Sequence, residues 1–223
     1  TNGIRETTSY DISRFNAVHC YNVLQGNQSE TSSSTIRNGY GFWFDGANNG
    51  GCELVDCFAY GYNNGFRTEV DGSYNFINCW ADGPVDSNSN PLNTSSIGFN
   101  LLATTSSGTS DAEPIIIGCK AAAQNYGIVI EEDTFGAVQI VSFSSWNCNI
   151  GIKTSCNINL LSNIAIRSYH TAAIIFGTAR ASFESKISNI ALYARYSTAT
   201  YDIDLGQGMI DLSAVMYDSS DLI

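Results

Sequence analysis

Asp45, Glu69 and Glu131 each lie four residues after the glycine of a Gly-Phe or Gly-Ile pair. Hydrolysis of a glycosidic bond needs a pair of carboxyl groups. Separations of roughly 5 Å go with retention and about 6.5–9.5 Å with inversion. Crowded carboxylates also raise one pKa, which leaves a proton for the departing sugar oxygen. The three residues are therefore the candidate acid, base or nucleophile. Two residues before Asp45 and Glu69 stand Trp43 and Arg67. Trp43, Tyr40, Tyr60 and Tyr62 are the candidates for stacking on sugar rings, and Arg67 is the candidate for holding an acidic sugar. Arg67 would equally lower the carboxyl pKa values and spoil the acid. The same carboxylates also have plainer readings, as a binding surface without catalysis or as solvated charge on a chain with 21 acidic residues.

Other chemistries find little support. His19 and His170 are the only histidines and are widely separated, so no Ser-His-Asp set can be assembled. The seven cysteines follow neither CxxC nor zinc-site spacing, and no metal or cofactor is expected. Triplets of the glycosylation type begin at Asn27 and Asn93, as chance allows in a chain this rich in Asn and Ser.

The elements that must carry these residues are set by a repeat. Two apolar residues, one small or polar residue and a buried-type anchor recur as Ala17-Val18-His19-Cys20, Leu54-Val55-Asp56-Cys57, Phe76-Ile77-Asn78-Cys79 and Ile116-Ile117-Gly118-Cys119. Weaker copies end at Phe143, Ile164 and Ile190. Uninterrupted anchor steps are 22, 24, 21 and 26 residues, while steps of 37 and 40 carry the polar insertions Leu24–Asn38 and Asp82–Ser96. Gly-Phe or Gly-Ile follows each anchor, at Gly41, Gly65, Gly98, Gly127 and Gly151.

A period near 22 to 24 residues with three short apolar strands predicts an all-β chain, a right-handed single-stranded parallel β-helix of about seven or eight rungs. Leucine-rich repeats share the length but require regular leucines and a helical segment. A β-sandwich gives turns without a fixed motif order. The residue before each anchor, His19 included, is read as the bend between two strands, where Asn, Asp and Gly tolerate a left-handed backbone. Cys20, Cys57, Cys79 and Cys119 are read as one inward column of packed thiols. The division expected is a lead-in segment over 1–14 and the β-helix over 15–223.

Strand alternation then sorts the faces. Outward columns after the glycine read Trp43, Arg67, Asn100, Val129, Lys153 and Asp45, Glu69, Leu102, Glu131, Ser155. Asp45 and Glu69 on neighbouring rungs stand about 5 Å apart if stacked. One residue past the anchor, Tyr21, Phe58 and Trp80 form an aromatic stripe read first as a subunit interface.

Composition narrows the partners. A net charge of −11 with ten scattered basic residues disfavours nucleic acid. No apolar run reaches the roughly eighteen residues that span a bilayer, so membrane insertion is not expected. The start at Thr1 and the end at Asp221-Leu222-Ile223 suggest a segment of a longer chain.

The bend column with Asn78, Asn163 and Asn189 resembles the asparagine ladder of the pectin-lyase-like β-helix superfamily over roughly residues 15–212. Polygalacturonase signatures are absent, and Arg67 with Asp45, Glu69 and Glu131 only loosely echoes a pectate lyase. The Gly/Ser/Asn-rich repeats, acidic balance and unpaired thiols look most like bacteriophage tailspikes and appendages. That resemblance implies a homotrimer on a virion tail or in an extracellular setting, made in a reducing cytoplasm, that binds and in many cases hydrolyses a host surface polysaccharide. The alternatives are a receptor-binding or structural appendage without chemistry, and a lyase or epimerase acting on uronic acids.

Overall fold

The computed structural model describes residues 2–7, 12–22, 39–45, 51–69, 72–86, 88–102, 114–131, 138–155, 158–177, 184–194, 201–204 and 209–218. The insertion 24–38 (Asn27 within it), Cys156 and the end at 221–223 lie outside them. The described chain is all-β, and its strands form an 8-stranded and a 13-stranded sheet.

Every strand ladder is parallel, and through the first five repeats each strand pairs with the one three places further along. One repeat consists of Tyr40–Phe44, Gly51–Val55 and Phe58–Tyr60. The Gly-Phe strand belongs to the first sheet and the other two to the second. In later repeats the second and third strands merge into one long bent strand, Ile158–Tyr169 and then Glu184–Ala194. The first sheet already begins with Ile4–Glu6, paired to Phe42–Phe44, so strand pairing starts before residue 15.

Two kinds of bend shape each repeat. At the first, Ala17, Asp56, Asn78, Gly118, Ser142, Asn163 and Asn189 all have φ between 53° and 66°. Except in the first repeat, these are the residues expected before each anchor. The side chain of Asn189 donates to Asn163 at 3.2 Å. A second bend, at Gly61, Ala123, Asn147 and Ser168, is also left-handed. Such a residue breaks the in–out alternation, so the residue after it turns inward. Cys57, Cys79 and Cys119 follow the first bend, Cys148 the second, and all are buried.

These thiols have a specific task. Cys57 donates to the carbonyls of Val55 and Phe15, Cys79 to Ile77 and Leu54, Cys119 to Ile117 and Phe76. A small donor after the bend thus meets carbonyls of its own repeat and of the preceding one. The six described cysteines are free and buried.

Asn16 pairs with Val55 and His19 with Phe58, so Cys20 falls opposite Ala59 rather than Cys57. Val18 holds the anchor place and Ala17 the bend, while His19 lies in a strand. Ala17-Val18-His19-Cys20 imitates the motif but stands two residues late.

The core lies between the sheets. Phe42, Phe66 and Phe99 stack in successive repeats at 4.9 and 4.8 Å, and Phe99 meets Phe143 of the other sheet edge-on at 6.4 Å. Burying each ring contributes about 1.5–3 kcal/mol. Glycine precedes these rings because the sheets nearly touch there. A Cβ on Gly41 would come within 2.5 Å of the Gly65 carbonyl oxygen and 2.6 Å of the Ala59 Cβ. The same closeness restricts the facing positions to Ala59, Ala81 and Ala121.

Candidate functional site

The register brings the expected carboxylates into one column of the first sheet. Phe44 pairs with Thr68, which sets Asp45 beside Glu69, and Leu102 pairs with Glu131. Each carboxylate has its own cation. Arg5 binds Asp45 through Nε at 3.0 Å and through Nη2 at 2.5 Å. Arg67 binds Glu69, and Lys153 reaches Glu131 at 3.4 Å. The Asp45 hydrogen bond in turn raises the pKa of Arg5.

The aromatic residues of this face are engaged as well. Arg5 lies over Trp43 at 4.2 Å, Trp43 abuts Tyr40 at 4.6 Å, and Arg67 lies over Tyr40 at 5.2 Å. Asn100 and Val129, expected to face outward in the Arg67 column, are buried, and Asn100 donates to Asn64 at 2.7 Å. The insertion Asp82–Ser96 is held by its own polar groups. Asp86 accepts from Asn88 and twice from Asn90, bonds that lower its pKa, those from Asn90 most. Asn93 is buried and donates to Asn63.

Two proposed sugar-stacking residues belong elsewhere. Tyr62 is 6% exposed and lies in the core, because the left-handed bend at Gly61 turns it inward. Burial raises its phenol pKa. Tyr60 lies on the second sheet, packed near Tyr21 and Phe58 rather than beside Tyr40.

The aromatic stripe is real but differs in detail. The column one past the anchor holds His19, Phe58, Trp80, Lys120, Ser144 and Ala165. The next outward column holds Tyr21, Tyr60, Asp82, Ala122, Trp146 and Arg167. Tyr21 therefore stands beside the Phe58–Trp80 column instead of in it, though its ring meets Phe58 at 5.4 Å.

Where these columns pass Trp80 and Trp146, the second sheet carries a groove of about 570 Å³. That size falls in the range of small-ligand sites. Trp80 and Trp146 are 41% and 57% exposed and form its walls. Ala122, Ser144 and Ala165 keep the floor low, and Lys120 and Arg167 supply two cations. Lys120 lies 5.8 Å from the Trp80 ring and Arg167 lies 5.2 Å from that of Tyr193. Near its Trp80 end, burial pushes the Asp82 carboxyl up to about 6, against the pull of the Gly83 amide. The described thiols are all buried. Burial pushes Cys148 up to about 12, and the bond with Cys119 does the same for Cys79.

Trp146 and Arg167 were missed in the sequence because alternation was followed only one residue beyond each anchor. The position three past the anchor is the next outward one and holds both. Among the described residues, no cluster of three or more His, Cys, Asp or Glu is suited to a metal ion. Comparison of the chain with protein-family models, with curated proteins and with solved structures finds no match.

Proposed function

We propose that the two parallel sheets are faces of a right-handed single-stranded β-helix of about eight rungs, and that this chain uses it to bind a polysaccharide without cutting it. Three strands per repeat, parallel pairing to the third strand on and a core between the sheets support the β-helix. The right hand follows from the near-universal handedness of parallel crossovers. The pectin-lyase-like family and a tailspike-type setting, with a homotrimer displayed on a virion or outside a cell, remain the accompanying reading.

The observation that carries the binding role is the groove between Trp80 and Trp146. Its two half-exposed tryptophans, low floor of small residues and two flanking cations suit a sugar chain, which offers flat apolar ring faces bordered by hydroxyls. Binding is favoured over cleavage because Asp45, Glu69 and Glu131 each already face a cation of this chain.

Affinity measurements on a panel of capsular and O-antigen polysaccharides test this reading, with chain length followed in parallel. Trp146→Ala is expected to weaken binding roughly tenfold or more, with Glu69→Gln binding normally and no protein shortening the polymer. Binding unchanged by Trp146→Ala refutes the groove. Shortening that disappears in Glu69→Gln would instead establish the hydrolase reading, which is kept alive by the adjacent placement of Asp45 and Glu69.

A further inference from the structure

Positive charge on this chain is scarce, and among the described residues four of seven cations are engaged in ion pairs. Arg5, Arg14, Arg67 and Lys153 each face a carboxylate. Lys120 and Arg167 make no ion pair among the described residues, and both are exposed at the same groove. A chain with a net charge of −11 repels polyanions at long range, but that repulsion is screened beyond about 8–10 Å at physiological salt. Short-range contact with Lys120 and Arg167, each set against an aromatic ring but facing no carboxylate, then decides what enters. A neutral ligand would leave both without a counter-charge.

The spacing adds a second constraint. Lys120 pairs with Trp80 on one side and Ser144 on the other, and Trp146 pairs with Arg167. The strands bearing Trp80 and Trp146 are two steps apart, about 10 Å by the usual strand spacing. Passing from one strand to the next, the groove presents indole, ammonium, indole and guanidinium. A chain of pyranose rings lying across the strands can meet that order with ring faces and acidic substituents in turn. Arg167 is the better carboxylate reader, because its planar fork makes paired bonds that an ammonium cannot.

We infer that this groove selects an acidic polysaccharide, with the carboxylates of uronic- or ulosonic-type sugars held by Arg167 and Lys120 and ring faces laid on Trp146 and Trp80. The inference deepens the polysaccharide reading above and depends on it.

The test uses polygalacturonate, hyaluronan and polysialic acid, each beside its carboxyl-reduced counterpart, with mannan and dextran as neutral chains. Binding is read by tryptophan fluorescence and calorimetry. Expected is binding of at least one acidic chain that falls roughly tenfold or more on carboxyl reduction. Arg167→Gln should cause a comparable loss, and Arg167→Lys a smaller one. Lys153→Gln, which alters a cation already paired with Glu131, should leave affinity unchanged. Arg167 is exposed, and equal melting temperatures will show that its variants fold. Binding of neutral or carboxyl-reduced chains that depends on Trp146 but not on Arg167 overturns the acidic-ligand inference and leaves the polysaccharide reading standing. If no chain shows Trp146-dependent binding, both fall.

Discussion

Ala123 adopts a φ of 54° at the second bend, a conformation that costs an L-residue about 1–2 kcal/mol. Glycine there removes that cost but adds about 0.5–1 kcal/mol of unfolded-chain entropy. The balance favours the substitution, so Ala123→Gly is expected to raise stability by roughly 0.5–1 kcal/mol in urea denaturation. A fall in stability would mean that the methyl group contributes more through packing than the backbone loses. Asp82 carries a different burden. Its carboxyl titrates at about 6 in the folded protein, above the ordinary 3.8, because partial burial penalises the charged form. The folded state therefore holds the proton more tightly than the unfolded chain does. Stability falls as pH rises from about 4 through about 6 and then stays low. Asp82→Asn keeps the acceptor for the Gly83 amide and removes the charge. At pH 8 it should be the more stable protein by on the order of 1–2 kcal/mol, after discounting for partial exposure. That advantage should vanish at pH 4. Melting curves across this range decide it, and an unchanged gap would show that Asp82 ionises as freely as in the unfolded chain.

At the scale of the element, the Gly-Phe strand is tied to its neighbours by contact more than by conformation. Gly98 does not need a left-handed backbone, yet a Cβ there would lie 2.6 Å from the Gly127 carbonyl oxygen and 3.0 Å from the Ala121 Cβ. Gly98→Ala should cost about 1–3 kcal/mol or more by overpacking. Gly177→Ala, whose new methyl would meet nothing closer than 3.3 Å, should cost little. Equal costs in chemical denaturation would overturn this account of the glycine column. The strand order was readable from sequence for the same reason. Gly before Phe and Asn or Asp before Cys are demanded by local geometry, so they recur and punctuate each repeat. Reading failed where that punctuation was imitated or ignored. Cys20 imitates an anchor, which shifted the first repeat by two residues and moved Tyr21 into the wrong column. Tyr62, read as a sugar-stacking residue, is turned inward by the left-handed Gly61 before it. The carboxylates share a register because nothing interrupts alternation between Gly65 and Glu69. Their ion pairs were only partly foreseeable, since Arg5 joins Asp45 from another repeat.

Across the whole molecule, each repeat touches chiefly the repeats on either side of it, and energetic coupling should be as short-ranged as the contacts. The groove illustrates the difficulty this creates for a reader of sequence. Trp80, Lys120, Trp146 and Arg167 come from four successive repeats and two outward columns, so no local motif contains them. The core gives a direct measure of the same principle. Phe66 and Phe99 stack at 4.8 Å, and both meet Phe76. Replacing either by leucine loosens the same aromatic cluster. Phe66→Leu and Phe99→Leu together should therefore depart from additivity by about 0.5–1.5 kcal/mol. Phe42 and Phe176 are equally part of the core but stand several repeats apart. Their leucine variants should add within roughly 0.5 kcal/mol. Double-mutant cycles in urea test both pairs under one set of conditions. Non-additivity for the distant pair would mean that the sheets transmit packing changes along their whole length. Additivity for the neighbouring pair would mean that its stacked rings contribute only through the area each one buries.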